Sequence, residues 1–300
     1  MARYEGYPIL MDAIFFMLVY GGLYGIVGMS FNVMFQPTNI FNFAQGSVVV
    51  IGALLASTLL AANLPWLVAL IGGVLAGGVL AIVIDFVAIK PVLKRDSSSH
   101  SWLITTLAVS LILDDLMGKV WGGEARIVRY PWPFDAHFVV RVGDAGLSSY
   151  SFVLILVPFV VLAGLTALYR TRSGRAVRAI AEERPGALLR GIDPVALTRS
   201  SWFIGGLIGA LAGILAAPIM FASVTLGPTL LVKGFMTVAI GGVGNNKGAL
   251  VGGYLIALAE GLMAARVSPD LSSIGTFAVL LVVLLVRPRG IFAEREVSRV

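Results

Sequence analysis

The sequence predicts an all-α membrane protein that crosses the bilayer many times. Of its 300 residues, 58% are hydrophobic and only 13% are charged, and the mean hydropathy is +0.93. A soluble chain of this length could not bury so much apolar surface and still present a solvated exterior. Several apolar runs also reach the roughly 20 residues that a bilayer core requires. We therefore expect a single transmembrane domain over residues 1–300, with about 8–10 transmembrane segments.

The apolar runs follow one another along the whole chain, with polar or glycine-rich connections between them. They lie at 10–35, 48–62, 64–88, 102–113, 152–168, 202–222, 229–242, 249–259 and 274–286. The shorter runs are extended by small polar flanks, so they also count as candidate spans. Pro37 predicts the end of the first span, because proline removes a backbone donor and blocks the preceding turn.

The basic residues predict the orientation of the chain in the membrane. Most of the 22 lysines and arginines fall in alternate connections, above all in residues 90–95, 169–200 and 287–299. By the positive-inside rule, the 169–200 loop and the C-terminus are cytoplasmic. The N-terminus and the 119–150 loop are then external. We read the positive charge as a topology signal rather than as a nucleic-acid site.

Two apolar segments are interrupted by asparagine, glutamine and glycine. The first break, "TNIFNFAQG" (38–46), contains Asn39 and Asn42, and Gln45 begins the next span. The second, "AIGGVGNN" (239–246), places three glycines before Asn245. Broken backbone at membrane depth must be buried in protein or line a wet cavity. Two such breaks in separate halves indicate a solute path and a possible inverted repeat; the alternative is that each is an ordinary short turn.

Carboxylates within apolar segments are the next candidates, since they are costly there unless paired or hydrated. Asp85, Asp114 and Asp115 lie close to lysines and are expected near the membrane edges. Glu260 is deeper and has no evident local partner. An alternative function follows from these residues: a self-sufficient carrier or channel that uses Glu260 or the Asp114/Asp115 pair as its ion site.

The 169–200 loop is predicted to form two short helices. Residues 175–183 can place Ala176, Val177, Ile180 and Ala181 near one face, and Pro185 ends this helix or starts the next. Gly191 would close the second helix. An apolar face on short surface helices favours a plug for a partner's groove; the alternative is a solvated connector.

No enzymatic site is predicted. The sequence has no cysteine, no G-x-x-x-x-G-K-[ST] phosphate loop and no H-E-x-x-H metal motif. We expect neither a cofactor nor a metal. If ATP drives transport, another chain must hydrolyse it.

Three stretches resemble the permeases of branched-chain amino acid ABC importers (LivH/LivM type). They are "GMSFNVMF…TNIFNFAQGSVVVIGA", "YRTRSGRAVRAIAEERPGALLRGID" and "GGVGNNKGALVGGYLIALAEGL". The resemblance implies a bacterial inner-membrane permease that pairs with a second, different permease. It also implies two cytoplasmic ATP-binding subunits and a periplasmic solute-binding protein. Gln45 stands where the family commonly has His and Lys247 where Pro is usual, so urea, short amides and aromatic acids stay open as solutes beside Leu, Ile and Val.

The candidate residues form two sets. The path set joins the two breaks with polar residues of the neighbouring spans: Asn32, Asn39, Asn42, Phe43, Gln45, Gly46, Gly241, Gly242, Gly244, Asn245 and Glu260. The resemblance also implies, by matching positions, a set in the 169–200 loop that couples to the ATPase: Arg172, Gly174, Arg175, Glu182, Glu183 and Gly191.

Overall fold

The computed structural model describes residues 6–95, 101–142, 145–268 and 271–292. Residues 143–144 of the predicted external loop lie outside this range, as do residues 1–5 and 293–300, on which part of the predicted orientation rests. The chain divides into two compact units, each made of separate stretches. The first unit comprises Met1–Asn32, His137–Pro158 and Lys233–Val300, and the second comprises Val33–Ala136 and Phe159–Val232.

The described residues form an all-α fold with one small hairpin. In chain order the elements are α1 (Gly6–Phe35), α2 (Gln45–Ala61), α3 (Trp66–Ile84), α4 (Lys90–Arg95), α5 (Ser101–Trp121), β1 (Phe138–Val142), β2 (Ala145–Ser148), α6 (Ser149–Arg170), α7 (Arg172–Glu182), α8 (Arg184–Leu189), α9 (Pro194–Met220), α10 (Leu226–Gly241), α11 (Asn246–Arg266) and α12 (Ser272–Val286). A π-helical turn, Asp85–Ile89, joins α3 to α4.

The predicted multi-pass architecture is confirmed. Among the described residues, five helical stretches are long and apolar enough to cross a membrane: Leu10–Phe35, Trp66–Val92, Ser149–Arg170, Pro194–Met220 and Asn246–Arg266. Three shorter helices, α2, α10 and α12, are also apolar. The protein is therefore an all-α polytopic membrane protein.

Both predicted breaks fall between helices. The first helix, α1, ends at Phe35, two residues before Pro37, and α2 begins at Gln45. The second break separates α10, which ends at Gly241, from α11, which begins at Asn246. The backbone enters the left-handed region at Asn39 (φ 55°) in the first break and at two glycines in the second. Such φ values are unfavourable for most side chains, which explains why Asn39, Gly242 and Gly244 occupy these positions.

In the second unit, α2, α3 and α9 pack together through small residues. Gly73 and Gly77 of α3 are buried, whereas Leu75 and Val79 on its other side are exposed. A Cβ on Gly77 would lie 2.9 Å from the carbonyl oxygen of Gly206 in α9. Small residues inside and large apolar residues outside are the arrangement expected where lipid surrounds the helices, since close backbone approach then supplies the packing energy.

In the first unit, α10 and α11 form a helical hairpin around the second break. The backbones at Gly241 and Gly248 meet directly, so neither position has room for a Cβ. Asn245 caps α11 by accepting a hydrogen bond from the Gly248 amide (2.9 Å) and also donates to the Phe292 carbonyl (3.1 Å). The segment after α12 thus covers the turn between α10 and α11.

The loop at 119–150 contains the antiparallel hairpin β1–β2, which the sequence analysis did not predict. Within the described part of this loop, no helix occurs between the end of α5 and the start of α6. Trp132, Phe134 and Phe138 of this loop are exposed, and Trp132 reaches 91% exposure. The proline-containing stretch "YPWPF" (130–134) lies in this non-helical part of the loop.

Candidate functional site

The candidate path residues fall into two groups, one in each compact unit. Asn39, Asn42, Phe43, Gln45 and Gly46 lie in the second unit. The first unit holds the other members of the set: Asn32, Gly241, Gly242, Gly244, Asn245 and Glu260. Each group can therefore be described by its own contacts.

At the first break, Asn42 and Gln45 are fully buried and bonded to protein atoms. Asn42 Oδ1 accepts from the Ala44 amide at 3.1 Å, an Asx-type turn that starts α2. Asn42 Nδ2 donates to Gln45 Oε1 at 3.4 Å, and Gln45 Nε2 donates to the Gly205 carbonyl of α9 at 3.1 Å. The two amides therefore connect the start of α2 to the middle of α9.

The other residues of the first break have different surroundings. Asn39 is exposed, and its positive φ lets the backbone reverse direction at this position. Phe43 is half-buried and stacks on Trp102 of α5, with ring centroids 6.5 Å apart. A Cβ on Gly46 would lie 2.9 Å from the Gly227 carbonyl, so glycine permits α2 to approach α10 there.

Two hydroxyls and one carboxylate form a cluster beside this break. The predicted path set did not include these residues. Ser47 Oγ donates to Asp114 Oδ1 at 2.8 Å and lies 3.3 Å from Ser110 Oγ. Asp115 points elsewhere and pairs with Lys119 at 2.7 Å, where both side chains are exposed. Ser47 is adjacent to Gly46 in sequence, but its link to Asp114 depends on the packing of α2 against α5. The two aspartates thus do not act as one pair.

At the second break, Asn32 of α1 holds the turn between α10 and α11. Asn32 is fully buried, and its Oδ1 accepts a hydrogen bond from the Gly244 amide at 2.8 Å. Gly242 and Gly244 adopt φ values of 101° and 82°, which glycine tolerates without strain. Asn32 of α1 therefore binds the turn that contains Gly244 and Asn245.

Glu260 has no partner nearby in the sequence, but two residues of other helices bind it. Glu260 Oε1 forms an ion pair with Lys233 Nζ at 2.9 Å, and Tyr24 donates to Glu260 Oε2 at 3.0 Å. The Lys233 side chain is buried and also donates to Thr276 Oγ1 at 3.2 Å. The counter-charge comes from 27 residues upstream in another helix, so no local pattern could reveal it. In the described residues, no group of three or more His, Asp or Glu could hold a metal ion.

Asp85, the fourth carboxylate in an apolar segment, is paired with a lysine. Asp85 is buried at the π-helical turn, and its Oδ2 lies 2.9 Å from Lys90 Nζ. This pairing agrees with the expectation that Asp85 lies beside a lysine.

The 169–200 loop forms the two predicted short helices, α7 and α8. Thr171 caps α7 by accepting from the Gly174 amide at 3.2 Å. Gly174 lies directly against the backbone of Leu168 and Tyr169, so a Cβ there would overlap the end of α6. Gly191 has φ 75° and follows α8, as the predicted helix end requires.

The faces of α7 differ in one respect from the prediction. Gly174, Val177 and Ile180 are buried, and α7 packs on α9, whereas Ala181 is exposed. The buried residues of α7 are three positions apart and therefore share one side of the helix. Ala181 lies outside that side. The charged members of the coupling set are all exposed: Arg172, Arg175, Glu182 and Glu183. On α8, Leu188 and Leu189 are 53% and 91% exposed, so two apolar side chains accompany the charges on this surface.

Comparison with known proteins assigns the chain to a family. The family model for the permease component of branched-chain amino acid transport systems matches residues 13–284. The LivH permease of the high-affinity branched-chain amino acid transport system of Salmonella typhimurium is 29% identical over 93% of this chain and 94% of its own length. The probable LivH permease of Methanocaldococcus jannaschii is 29% identical over 91% and 90%.

A chain of the solved structure of PsaBC from Streptococcus pneumoniae in complex with Fab covers 96% of this chain and 94% of its own length. Its sequence identity is 12% and its TM-score 0.48, a likeness too distant to carry an inference. The family match extends over nearly the whole transmembrane fold and includes both breaks and the α7–α8 loop. The chain belongs to the family of permease components of branched-chain amino acid transport systems.

Proposed function

We propose that this chain is one of two permease subunits of an ATP-driven importer in a bacterial inner membrane. The solute is a branched-chain amino acid or a related small polar molecule that a periplasmic binding protein delivers. Two cytoplasmic subunits bind and hydrolyse ATP, and the second permease is a different chain. The observation that carries the proposal is the family match over residues 13–284.

The α7–α8 loop is the proposed contact with the ATP-binding subunits. It combines exposed arginines with exposed Leu188 and Leu189, while Val177 and Ile180 anchor it to the rest of the unit. Apolar side chains on a short helix suit a groove on a partner, and the surrounding charges set its orientation. When ATP draws the two partner subunits together, the loop follows, and its anchor carries the motion into the membrane helices.

The two breaks are the proposed gate of the solute path. Helix interruptions expose backbone N–H and C=O groups that can contact a polar solute. In the described structure Asn42 and Gln45 bond to each other and to α9, which suits a closed gate that must exchange these bonds when it opens. The cytoplasmic placement of α7–α8 and of the C-terminus, with an external N-terminus, follows from the distribution of arginine and lysine.

Affinity purification of the chain from its native membrane in mild detergent tests the assembly. Mass spectrometry of the purified complex is expected to find an ATP-binding subunit and a second, different permease. Deletion of the chain is expected to abolish uptake of [14C]leucine in intact cells. A lone homo-oligomer that transports in proteoliposomes without partners would instead establish the carrier or channel alternative.

The gate is tested by the double substitution Asn42→Leu with Gln45→Leu. Leucine removes the acceptor for the Ala44 amide and the link to Gly205, and an unpaired buried amide costs ~1–3 kcal/mol. We expect uptake of [14C]leucine to fall while the complex still assembles. Normal uptake by an intact complex would mean that the two amides serve packing alone.

A further inference from the structure

Three helices of the first unit meet along one seam. On α1, Tyr24, Gly28 and Asn32 are spaced four residues apart, so they share one face. On α10, a second row of the same spacing faces them, made of Lys233, Thr237 and Gly241. The row on α11 comprises Gly248, Gly252 and Glu260.

The seam is tightest in its middle and at the turn. A Cβ on Gly28 would overlap the hydroxyl of Thr237, and one on Gly252 would overlap the Thr237 carbonyl. At the turn, Gly241 and Gly248 meet backbone to backbone. These contacts are close but non-directional, since dispersion attraction has no preferred angle. By themselves they do not prevent small sliding or rotation of one helix past another.

The far end of the seam carries directional contacts. Lys233 of α10 pairs with Glu260 of α11 at 2.9 Å, and Tyr24 of α1 donates to the same carboxylate at 3.0 Å. Lys233 also donates to Thr276 of α12 at 3.2 Å and lies 5.8 Å from the Tyr24 ring centroid. Four helices are thus joined by one buried ion pair and its two hydroxyl neighbours.

A buried ion pair is a poor source of net stability, because desolvation of both charges offsets their attraction. Well-packed apolar side chains of similar size would hold the helices together at least as well. What the pair adds is geometry: a hydrogen-bonded charge tolerates little displacement, and buried polar groups can fix helix register.

We propose that the Lys233–Glu260 pair is a register clamp that positions the Gly242–Gly244 turn. Lys233 and Glu260 are positioning residues: they act through α10 and α11, whose opposite ends form the turn that Asn32 binds. Gly242 lies nine positions after Lys233, about 13 Å along the helix axis. The role of that turn in gating rests on the proposed function, but the clamp itself is a property of the fold.

Hydrogen exchange of the turn tests the clamp directly. The complete transporter is purified in detergent, and mass spectrometry follows a peptide that covers residues 242–249. In Lys233→Met, Glu260 is left as a buried charge without its counter-ion, which is strongly destabilising. We expect exchange of this peptide to rise by about tenfold, which corresponds to ~1.4 kcal/mol of lost protection. A peptide from α7, in the other unit, is the control and should not change.

A double variant separates the charge from the side chain. Lys233→Met with Glu260→Gln carries no buried charge, and Gln still offers an oxygen to Tyr24. It is expected to fold stably, because no unpaired charge is left, but exchange of the same peptide should stay about threefold above wild type, because the ion pair that sets the register is gone. Wild-type exchange in this double variant would overturn the clamp, because the effect of Lys233→Met would then come from the unpaired charge alone. If Lys233→Met fails to accumulate, Tyr24→Phe is used in its place. It loses one hydrogen bond of the clamp and should raise exchange of the same peptide by a smaller factor.

Unchanged exchange in a folded Lys233→Met complex, or in Tyr24→Phe, would overturn the clamp. A shift in the pH profile of [14C]leucine uptake in the double variant, with normal exchange at the turn, would also overturn it, because the pair would then carry protons rather than set register. Failure of wild-type membranes to take up leucine bears on the proposed function alone, since the exchange measurement does not depend on transport.

Discussion

Substitution of Gly174 by alanine is the sharpest test of how the α7–α8 loop is fixed. A Cβ at this position would overlap the Leu168 carbonyl and the Tyr169 backbone, neither of which can rotate away. The start of α7 must therefore shift relative to α6. Overpacking of this kind costs ~1–3 kcal/mol. That energy corresponds to a change of about 5- to 150-fold in the equilibrium between docked and undocked α7.

The absence of cysteine from the chain supplies the assay. A single cysteine in place of buried Val177 reacts with a water-soluble maleimide only when α7 leaves α9. We expect Gly174→Ala to raise the labelling rate of this cysteine by about 5- to 150-fold. Uptake of [14C]leucine should fall with it, because the loop no longer transmits motion. In the chain purified without its ATP-binding partners, a cysteine at Leu189, which is 91% exposed, gives the rate for unprotected labelling.

Gly186→Ala is the matched control, since it makes the same chemical change in the same loop. Its Cβ would meet the Glu183 carboxylate at 2.9 Å, the end of a flexible side chain that can move aside. Labelling of the Val177 cysteine should stay at the wild-type rate. Equal labelling in Gly174→Ala and Gly186→Ala would refute the reasoning that close backbone contact fixes α7.

Two further predictions concern the membrane helices. Gly77→Val forces a side chain against Ala210 and should lower the thermal unfolding midpoint of the purified complex, at a cost of ~1–3 kcal/mol. Gly164→Val, where a Cβ meets nothing within 4 Å, should leave the midpoint unchanged, and equal effects would contradict the packing argument. Asn32→Leu deprives the Gly244 amide of its acceptor, at ~1–3 kcal/mol, and should speed hydrogen exchange at the turn. Wild-type exchange in this variant would show that the bond does not hold the turn.

The helix limits were predictable because their causes are local. Pro37 stops a helix whatever the chain packs against. The end of α10 and the start of α11 follow from the intervening glycines, which accept a positive φ. The 169–200 loop is similar, since Thr171 and Gly191 act on their own neighbours. The β1–β2 hairpin was not predicted because its short strands lie among Gly, Pro and aromatic residues that also suit an irregular loop.

The partners of the buried polar groups were not predictable in the same way. Glu260 looked isolated because its partners, Lys233 and Tyr24, lie on other helices, and Tyr24 is 236 positions away. Asn32 gave no sign that it would bind the turn at Gly244, which is 212 positions away. Hydrogen bonds over such separations exist only after the helices pack.

The sequence alone determined that this is a helical, multi-pass membrane protein with two broken segments. Hydropathy and the length of each apolar run can be read from a short stretch of chain, and proline and glycine restrict the backbone only at their own positions. Only the tertiary structure decided which polar groups meet. A charge in an apolar segment must find a counter-charge, but helix packing selects the one that it finds. Lys233 became the partner of Glu260 because the glycine contacts of α1, α10 and α11 bring those two side chains within 2.9 Å.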